Sequence, residues 1–302
     1  MRNSAAILLA TFNGERFLPK FLRSLTLQEH RDCVIYWRDD GSTDATLKLV
    51  EQAHLPFRIV RLGNSRRLGP AQNFLGLLRA AAGQHGSYHF ADQDDIWHPD
   101  KVSRGHHAVS VVDTPTLFHS RQVLIDADDR RIALSRSPGR AAFENAVVEN
   151  IVVGCSSAIN DSAARLVATG NPTHAIMHDW WAYLVVSCFG QIVFEQSPTI
   201  SYRQHAGNLV GAQKMTFRDL RLKLARQMSR GFRAPPFLGQ LTDLAMIHGD
   251  LLSNERKSLI DVLVGGKHAL STRIRTASYP PVWRQNLLDQ LLLRVALLTG
   301  RY

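Results

Sequence analysis

The chain has 302 residues, a length that suits one large α/β unit with an appended subdomain, or two modest domains. Hydrophobic residues make up 45% of the sequence and charged residues 21%, which is the balance of an ordinary soluble globular protein. The three cysteines, Cys33, Cys155 and Cys188, are too widely spaced for a disulfide framework or a zinc site. We therefore expect three small buried side chains in a protein of a reducing compartment.

No stretch of the sequence is predicted to cross a membrane. The longest uncharged segment, residues 180–194, is shorter than the roughly 18 apolar residues that a membrane helix needs. The apolar residues 5–10 resemble the core of a signal peptide, but they run directly into a polar motif. We interpret them as a first, buried strand and expect a cytoplasmic protein.

The net charge of +10 is concentrated in the last third of the chain. Residues 1–210 carry 21 basic and 20 acidic side chains, whereas residues 211–302 carry 15 basic and 6 acidic side chains. This asymmetry predicts a boundary near residue 210 and a tail that meets an anionic partner.

The first hundred residues alternate apolar runs with amphipathic stretches. Strands are predicted at residues 5–12, 33–37, 57–62 and 87–91, and helices at residues 17–28, 44–52 and from Pro70 onward. Such alternation is typical of a mostly parallel sheet with helices on both faces. Beyond it we expect strands at 116–125, 151–159 and 191–202, the last interrupted at Pro198, and a helix at 179–189. From residue 211 the pattern becomes helical and basic.

Acidic residues follow the predicted fourth strand as Asp92, Asp94 and Asp95. Ligands of parallel sheets bind beyond the carboxyl ends of the strands, and clustered carboxylates there can hold a divalent cation that bridges phosphate oxygens. The alternative interpretation is an Asp-rich turn that caps the next helix.

A second polar motif, residues 39–44, follows the second predicted strand. An aspartate at this position can accept the imide N–H of a uracil or thymine ring, and Gly41 lets the backbone approach a nucleotide. The alternative is a strand-to-helix turn capped by Ser42 or Asp44, and we assign Asp44 mainly to that role.

Three motifs together resemble the opening motifs of family 2 glycosyltransferases, in that family's order and at similar spacing. They are Ala10-Thr11-Phe12-Asn13-Gly14, Asp39-Asp40-Gly41-Ser42-Thr43-Asp44 and Ala91-Asp92-Gln93-Asp94-Asp95-Ile96-Trp97. The extension through Ile96-Trp97 is most similar to the bacterial rhamnosyltransferase-like branch. His178-Asp179-Trp180-Trp181 occupies the place of the family's catalytic motif, and Tyr202-Arg203-Gln204-His205 resembles the segment that closes over the pyrophosphate. The resemblance covers residues 1–211.

This resemblance implies a GT-A fold, which is a Rossmann-like, mostly parallel sheet flanked by helices. Residues 1–112 would form the nucleotide-sugar-binding half and residues 113–210 the acceptor-binding half. Residues 211–302, which match no family, would form a basic helical subdomain. The resemblance also implies a nucleoside-diphosphate sugar, Mg²⁺ or Mn²⁺, and inversion at the anomeric carbon.

The site residues implied by the resemblance fall into four groups. Asp179 is the expected catalytic base, Asp94 and His205 the expected metal ligands, and Trp180 and Trp181 the expected acceptor contacts. The expected donor contacts are Thr11, Asn13, Asp39, Asp40, Asp92 and Arg203. His178 departs from the family, in which many members carry an acid at that place.

Other interpretations of these residues remain open. Asp179 can cap a helix, Arg203 can pair with a surface carboxylate, and one of the two tryptophans is expected in the core. A lone histidine such as His205 is more often a hydrogen-bond partner than a ligand.

We therefore predict an inverting, metal-dependent transferase that moves L-rhamnose from dTDP-L-rhamnose to a hydroxyl of a bacterial surface glycan or lipid-linked saccharide. One alternative is a UDP-hexose donor on the same fold. Another is a sugar nucleotidyltransferase, but its basic N-terminal loop is represented only by Arg16. Nucleic-acid binding, suggested by a pI near 9.9, is disfavoured because acidic clusters lie at the expected site.

The tail prompts a separate hypothesis, that residues 211–302 dock on an anionic membrane surface beside a lipid-linked acceptor. A helix over residues 214–230 would place four apolar side chains on one face and basic side chains opposite. A second apolar face is predicted near the C-terminus and consists of Leu287, Leu288, Leu291, Leu292, Val295 and Leu298. The alternative is that these helices pack on each other or on the catalytic domain.

Overall fold

The computed structural model describes residues 3–63, 66–205, 236–265 and 282–299, together with residues 273, 274 and 277. The strands of this part of the chain are β1 (Ala5–Thr11), β2 (Cys33–Asp39), β3 (Arg58–Arg61), β4 (Ser87–Asp92), β5 (Ile96–Trp97), β6 (Thr116–Ile125), β7 (Arg131–Leu134), β8 (Ser157–Asn160) and β9 (Gln191–Arg203). The helices are α1 (Leu18–Thr26), α2 (Thr46–Glu51), α3 (Pro70–Ala81), α4 (Lys101–Ser110), α5 (Phe143–Ala146), α6 (Asp161–Ala168), α7 (His178–Phe189), α8 (Pro236–His248), α9 (Asn254–Val264) and α10 (Leu287–Thr299).

These strands form one mixed sheet in the order β3-β2-β1-β4-β8-β6-β9-β5, and β7 pairs with β6. The first four strands are parallel to one another. Strand β8 is antiparallel to both β4 and β6, so β6 runs in the same direction as β4. The long β6–β9 pairing is parallel. The expectation of a mostly parallel α/β sheet flanked by helices is confirmed, and the carboxyl ends of β1, β2, β4 and β6 share one edge.

Strand β1 lies inside the sheet because its side chains are apolar on both faces, as is typical of parallel strands covered by helices. Ala6 and Leu8 belong to the core beneath α3, α6 and α7. Ile7 and Leu9 belong to a second core on the opposite face, where α1 contributes Phe21 among other side chains. The sheet therefore separates two hydrophobic layers.

One predicted element is wrong. Residues 151–159 do not form a continuous strand: a 3₁₀ turn at Gly154–Ser156 precedes a shorter strand, β8. A Cβ on Gly154 would lie 2.5 Å from Nε2 of His178, so the chain passes this point closely and leaves the sheet. The predicted interruption of the last strand is confirmed, because the β6–β9 register shifts between Ser120 and Gln122, opposite the segment that contains Pro198.

The described C-terminal helices pack against the catalytic domain. Leu241 of α8, Ile260 of α9, and Leu293 and Leu297 of α10 belong to the same core as β1 and β4. The predicted boundary near residue 210 and the predicted helix over 214–230 lie outside the described residues. Within the described residues, no helix has both the length and the apolar character needed to span a bilayer. All three cysteines are described, and each is buried with a free thiol, as expected.

Candidate active site

Three loops at the carboxyl edge of the sheet are tied together by hydrogen bonds. The backbone N–H of Asn13 donates to Oγ of Ser42 at 2.8 Å, and the N–H of Thr43 donates to Oδ1 of Asn13 at 2.9 Å. The side chain of Gln93 accepts from the N–H of Phe12 at 2.9 Å and donates to its carbonyl at 2.8 Å. The three sequence motifs thus form one structural unit.

Thr11 and Asp39 are both buried at this edge and bond to each other. Oγ1 of Thr11 donates to Oδ1 of Asp39 at 2.8 Å. Oδ2 of Asp39 accepts the backbone N–H groups of Gly41 at 2.9 Å and Ser42 at 2.7 Å. Gly41 has a φ of 93°, which strongly favours glycine, so the Asp39 carboxylate fixes a loop of special conformation. The two side chains therefore fix the conformation of the loop that follows β2.

Asp40 is buried and its carboxylate bonds to three groups of the protein. It lies 3.1 Å from Nη1 of Arg38 and accepts the N–H groups of Leu68 at 2.7 Å and Gly69 at 2.8 Å. Asp40 therefore holds the loop before α3 against the end of β2. Contact between this carboxylate and a nucleobase remains a prediction.

The structure brings Asp94 and His205 together although they are 111 residues apart: Nε2 of the histidine lies 2.8 Å from Oδ2 of the aspartate. Asp92 is close by, and burial, followed by the negative charges of Asp94 and Asp179, raises the pKa of its carboxyl group to about 7. Carboxylate oxygens and an imidazole nitrogen therefore lie together in a region with excess negative charge. Such a set of donors suits a divalent cation.

Beneath these ligands lies a buried layer of Asp95, Cys155 and Lys101. Ligand atoms of Asp92, Asp95 and Cys155 lie within 4.8 Å of one another. Burial, and then the nearby carboxylates, raise the pKa of the Cys155 thiol well above its ordinary value, so the thiol stays protonated beside them. Lys101 is buried, with Nζ 4.1 Å from the ring centroid of Trp97, and its positive charge interacts with Asp95. We assign these groups to support of the acidic motif rather than to binding.

Arg203 is fully buried, which differs from the expectation of a donor-binding side chain. Its backbone N–H donates to Oδ1 of Asp95 at 3.0 Å, and Nε donates to the carbonyl of Asp94 at 2.8 Å. Nη1 donates to the carbonyl of Asp126 and pairs with Asp129. The guanidinium group thus fixes the acidic turn in place, and its influence on a donor would be exerted through Asp94.

Asp179 lies in the first turn of α7. Oδ2 accepts the N–H of Gly154 at 3.0 Å, and Oδ1 accepts the N–H of Trp180 at 2.7 Å. Burial raises the pKa of this carboxyl group to about 6. A carboxylate with this pKa is a suitable proton acceptor near neutral pH. Gly154, which donates to Asp179, precedes Cys155, and Cys155 lies within 4.8 Å of Asp92 and Asp95, so the expected base lies beside the acidic cluster.

The neighbouring His178 is buried and packs on aromatic rings. Its ring centroid lies 3.9 Å from that of Phe74 and 4.8 Å from that of Phe90. Burial lowers the pKa of the imidazole to about 3, so it stays neutral. A neutral, buried side chain supports the start of α7 and does not replace the acid that many relatives carry there.

The two tryptophans have different environments. Trp181 is fully buried, and its indole N–H donates to the carbonyl of Val167. It packs in the core and has no surface for an acceptor sugar, which corrects the expectation for this residue. Trp180 is half-buried and its indole N–H donates to the carbonyl of Ala146 at 2.7 Å, so part of its ring remains accessible.

Comparison with known proteins connects this site to one enzyme class. Residues 6–108 match the sequence profile of glycosyl transferase family 2. A dTDP-rhamnosyl transferase, RfbG of Shigella flexneri, is 28% identical over 215 residues, which cover 68% of this chain and 74% of that protein. These matches identify the chain as a glycosyltransferase, and its residues 6–108 resemble family 2. It resembles the rhamnosyltransferase branch, as the motifs predicted.

Two further comparisons concern this glycosyltransferase. An uncharacterized glycosyltransferase, alr2836 of Nostoc sp., is 27% identical over 142 residues, or 46% of this chain and 43% of that protein. The crystal structure of residues 1–349 of TarS from S. aureus in complex with UDP-GlcNAc superposes with a TM-score of 0.55 at 12% identity, covering 99% of this chain and 89% of that fragment. At that identity the likeness shows the fold, which is GT-A.

Several residues of this glycosyltransferase site were not predicted. Gln93 joins two loops, and Cys155 and Lys101 support the acidic turn. The guanidinium of Arg67 lies 3.9 Å from the ring centroid of Phe12, so the two side chains pack together beside the loop that follows β1. A clue was available for Gln93, which stands inside the acidic motif. Phe12 also stands inside a quoted motif, and Arg67 belongs to a basic pair, whereas Cys155 and Lys101 are isolated residues without a spacing pattern.

Proposed function

We propose that this glycosyltransferase moves L-rhamnose from dTDP-L-rhamnose to an acceptor hydroxyl with inversion, using Mg²⁺ or Mn²⁺. One observation carries the proposal: Asp92, two residues before Asp94, lies within 4.8 Å of Cys155, and the preceding residue Gly154 donates to Asp179 at 3.0 Å. The expected cation site and the expected base therefore border one space. A direct displacement needs the base on one side of the anomeric carbon and charge neutralisation of the diphosphate on the other.

Each residue has a defined part in the proposed reaction. Asp94 and His205 would hold the cation, which supplies positive charge to the departing diphosphate. Asp179 would remove the proton of the acceptor hydroxyl as its oxygen attacks. Gly154 and the N–H of Trp180 keep the Asp179 carboxylate in one orientation. Asp92 would contact the donor sugar or ribose between them.

The choice of donor is supported by RfbG, whose name identifies it as a dTDP-rhamnosyl transferase. The sequence similarity covers 68% of this chain. The proposed acceptor is a bacterial surface glycan or a lipid-linked saccharide. A lipid-linked acceptor would place the enzyme on the cytoplasmic side of an anionic membrane surface, in agreement with the basic tail.

A donor screen tests the proposal. Release of nucleoside diphosphate is measured with dTDP-rhamnose, UDP-glucose, UDP-GlcNAc and GDP-mannose, with Mn²⁺, Mg²⁺ or EDTA. We expect turnover with dTDP-rhamnose that EDTA abolishes. Preference for a UDP-hexose would refute the rhamnose assignment, and undiminished turnover in EDTA would refute the metal.

The variant Asp94→Asn isolates the metal site. It removes a charged ligand and the partner of His205 while preserving the shape of the turn, so we expect metal-dependent binding of dTDP to be lost in a calorimetric titration with Mn²⁺. Asp100→Asn, on the other side of the short strand β5, is a suitable control. Wild-type affinity of Asp94→Asn would exclude Asp94 as a ligand.

A further inference from the structure

A groove of about 470 Å³ lies between β6, the segment after β7 and the C-terminal residues Gln285 and Asn286. It lies in the half of the sheet predicted to bind the acceptor. Because β6 is parallel to β4, its carboxyl end points to the same edge as the acidic motif. Of the residues assigned above to the donor, the cation or the base, none lines this groove.

Among the lining residues of the groove, His119 carries a buried polar atom that can bond to a ligand. Its side chain is 2% exposed and lines the groove, and Nε2 has no hydrogen-bond partner within the described part of the chain. Burial lowers the pKa of its imidazole to about 4, so the ring is neutral and can donate or accept one hydrogen bond at Nε2, depending on its tautomer. A buried polar atom without a partner costs free energy. Nε2 is itself enclosed in this structure, so a ligand hydroxyl in the groove would recover that cost once the imidazole turns towards it.

The remaining lining is suited to a carbohydrate. Arg136 and Asn286 stand exposed at the rim and offer hydrogen-bond donors, and Gln122 lies buried deeper in the groove. Phe194 and Val153 provide apolar surface against which the C–H face of a sugar ring can pack. A site of this composition recognises many hydroxyl groups at once.

The groove is physically connected to the expected base. Val153 in its wall precedes Gly154, whose N–H donates to Asp179 at 3.0 Å. Gln122 donates to Oγ of Ser156, at the end of the same 3₁₀ turn, at 2.9 Å. A ligand in the groove would therefore lie on the other side of the turn that holds the Asp179 carboxylate.

The C-terminal part of the chain builds one wall. Oε1 of Gln285 accepts the N–H of Gly139 at 2.8 Å, and its Nε2 donates to the carbonyl of Arg140 at 3.0 Å. The N–H of Gln285 also donates to Glu149 at 2.7 Å. This clamp joins the segment just before α10 to the catalytic domain and completes the groove.

From these observations we infer that the groove is a subsite for a saccharide unit of the acceptor, with His119 bonding one of its hydroxyl groups. The inference rests on the proposed glycosyl transfer. It assigns to the C-terminal subdomain a direct part in acceptor recognition, through Gln285 and Asn286.

The test compares acceptor and donor kinetics in His119→Leu. A panel of aryl glycosides serves as acceptors, and the one with the highest turnover is used for all variants. We expect the acceptor KM to rise roughly tenfold, the scale of one buried hydrogen bond, while donor KM and acceptor-free hydrolysis of the donor stay unchanged. His119→Gln, which retains a hydrogen-bonding group, should recover most of the acceptor affinity.

Two surface variants keep the test independent of the buried position. Arg136→Ala should also raise the acceptor KM, whereas Arg131→Ala, on the neighbouring strand β7 and outside the groove, should not. Unchanged acceptor KM in both His119→Leu and Arg136→Ala would overturn the inference. If His119→Leu raises the melting temperature but leaves the acceptor KM unchanged, His119 is a structural residue and the inference is wrong.

Saturation-transfer NMR with the same glycosides distinguishes failure of the subsite from failure of the proposed function. Glycoside signals that weaken in His119→Leu would support the groove even if the enzyme used another donor. Signals that are equal in wild type and His119→Leu would overturn the inference even if rhamnosyl transfer were demonstrated.

Discussion

Asp179 combines a raised pKa with a fixed orientation. Burial disfavours its charged form, and two backbone N–H groups hold the carboxylate in place without restoring the ordinary pKa. If it is the base, Asp179→Asn should bind dTDP and Mn²⁺ normally but transfer sugar about 10²–10⁴-fold more slowly, because an amide cannot accept the proton. Single-turnover assays at saturating donor measure this.

The control for this variant is Asp161→Asn, in the first turn of α6. The Asp161 carboxylate bonds to Tyr88, Gly83 and Arg165 and so has a structural role. The Asp161→Asn variant should therefore retain transfer activity. Near-normal turnover of Asp179→Asn would remove this residue from the mechanism.

The raised pKa of the Asp179 carboxyl group leads to a prediction for the pH dependence of the transfer rate. A base must be deprotonated to act, and burial raises the pKa of Asp179 to about 6. The transfer rate at saturating donor and cation should therefore be constant above pH 7 and fall as the pH drops through about 6, by up to tenfold per unit. The residual rate of Asp179→Asn should lack this step. If the transfer rate of the wild-type enzyme falls only near pH 4, the carboxyl group of the base has an ordinary pKa and this prediction is wrong.

The proximity of single residues was predictable only where a motif carried it, and their roles remain predictions. Asp94 and His205 lie 2.8 Å apart, as a shared role in a metal site requires, and the prediction came from two motifs that are far apart in sequence. Arg203 was placed in the correct region, but its burial depends on how β9 covers the acidic turn. Cys155 was predicted to be buried, yet its contact with Asp92 and Asp95 depends on the 3₁₀ turn, which no periodicity reveals.

At the scale of elements, strands β1 to β4 and helices α1 to α3 were predicted within a few residues, whereas the short strands β5 and β7 and the short helix α5 were not predicted. Apolar alternation and the Pro70 start were reliable signals because both reflect burial and local backbone geometry. The prediction failed at 151–159, where apolar residues lie in a turn. There the close approach of Gly154 to His178, a tertiary effect, decides the conformation.

Gly190, which follows α7, allows a stability prediction. A Cβ at this position would lie 1.8 Å from the carbonyl oxygen of Pro115, a backbone atom that cannot rotate away. The N–H of Gln191 bonds to that same carbonyl at 2.9 Å, so β9 begins there. Gly190→Ala should lower the free energy of unfolding by about 1–3 kcal/mol or more, because the backbone must shift to relieve overpacking.

The matched control is Gly76→Ala in the middle of α3. A Cβ there meets no atom within 4 Å, and alanine favours a helix over glycine. This variant should raise the free energy of unfolding by up to about 1 kcal/mol. Urea denaturation followed by circular dichroism measures both changes. A stable Gly190→Ala would show that the contact with Pro115 is not tight.

At the scale of the whole molecule, the C-terminal part is both a structural layer and an exposed apolar surface. Of the eleven large hydrophobic side chains that are exposed in the described residues, eight lie between Met246 and Leu298. Helix α10 buries Leu293 and Leu297 but exposes Leu287 at 89% and Leu291 at 57%. The sequence predicted the apolar face of this helix, but periodicity alone could not decide which side would be covered.

Because the C-terminal helices have both a buried and an exposed face, the membrane prediction must be tested on the exposed face alone. Removal of residues 211–302 would strip Leu241, Ile260 and Leu293 from the core, so loss of vesicle binding in a truncated chain would be uninformative. The sharper variant is the double substitution Leu287→Glu and Leu291→Glu, which changes only the exposed face of α10. The matched control is Leu27→Glu, a leucine that is 56% exposed after α1.

We expect the wild-type protein to co-sediment with phosphatidylglycerol vesicles at low salt and to bind less as salt increases, because the excess of nine positive charges in residues 211–302 is attracted to anionic lipid. The affinity of the double variant for these vesicles should be at least about tenfold lower than that of the wild type. The two substitutions remove two apolar side chains from the interface and add negative charge. Leu27→Glu should bind like wild type. Equal binding of all three proteins would exclude α10 as the docking face. A wild-type protein that ignores anionic vesicles would leave α10 with a different role, and its exposed leucines would then be expected to pair with a second copy of the chain, which sedimentation velocity detects as a dimer.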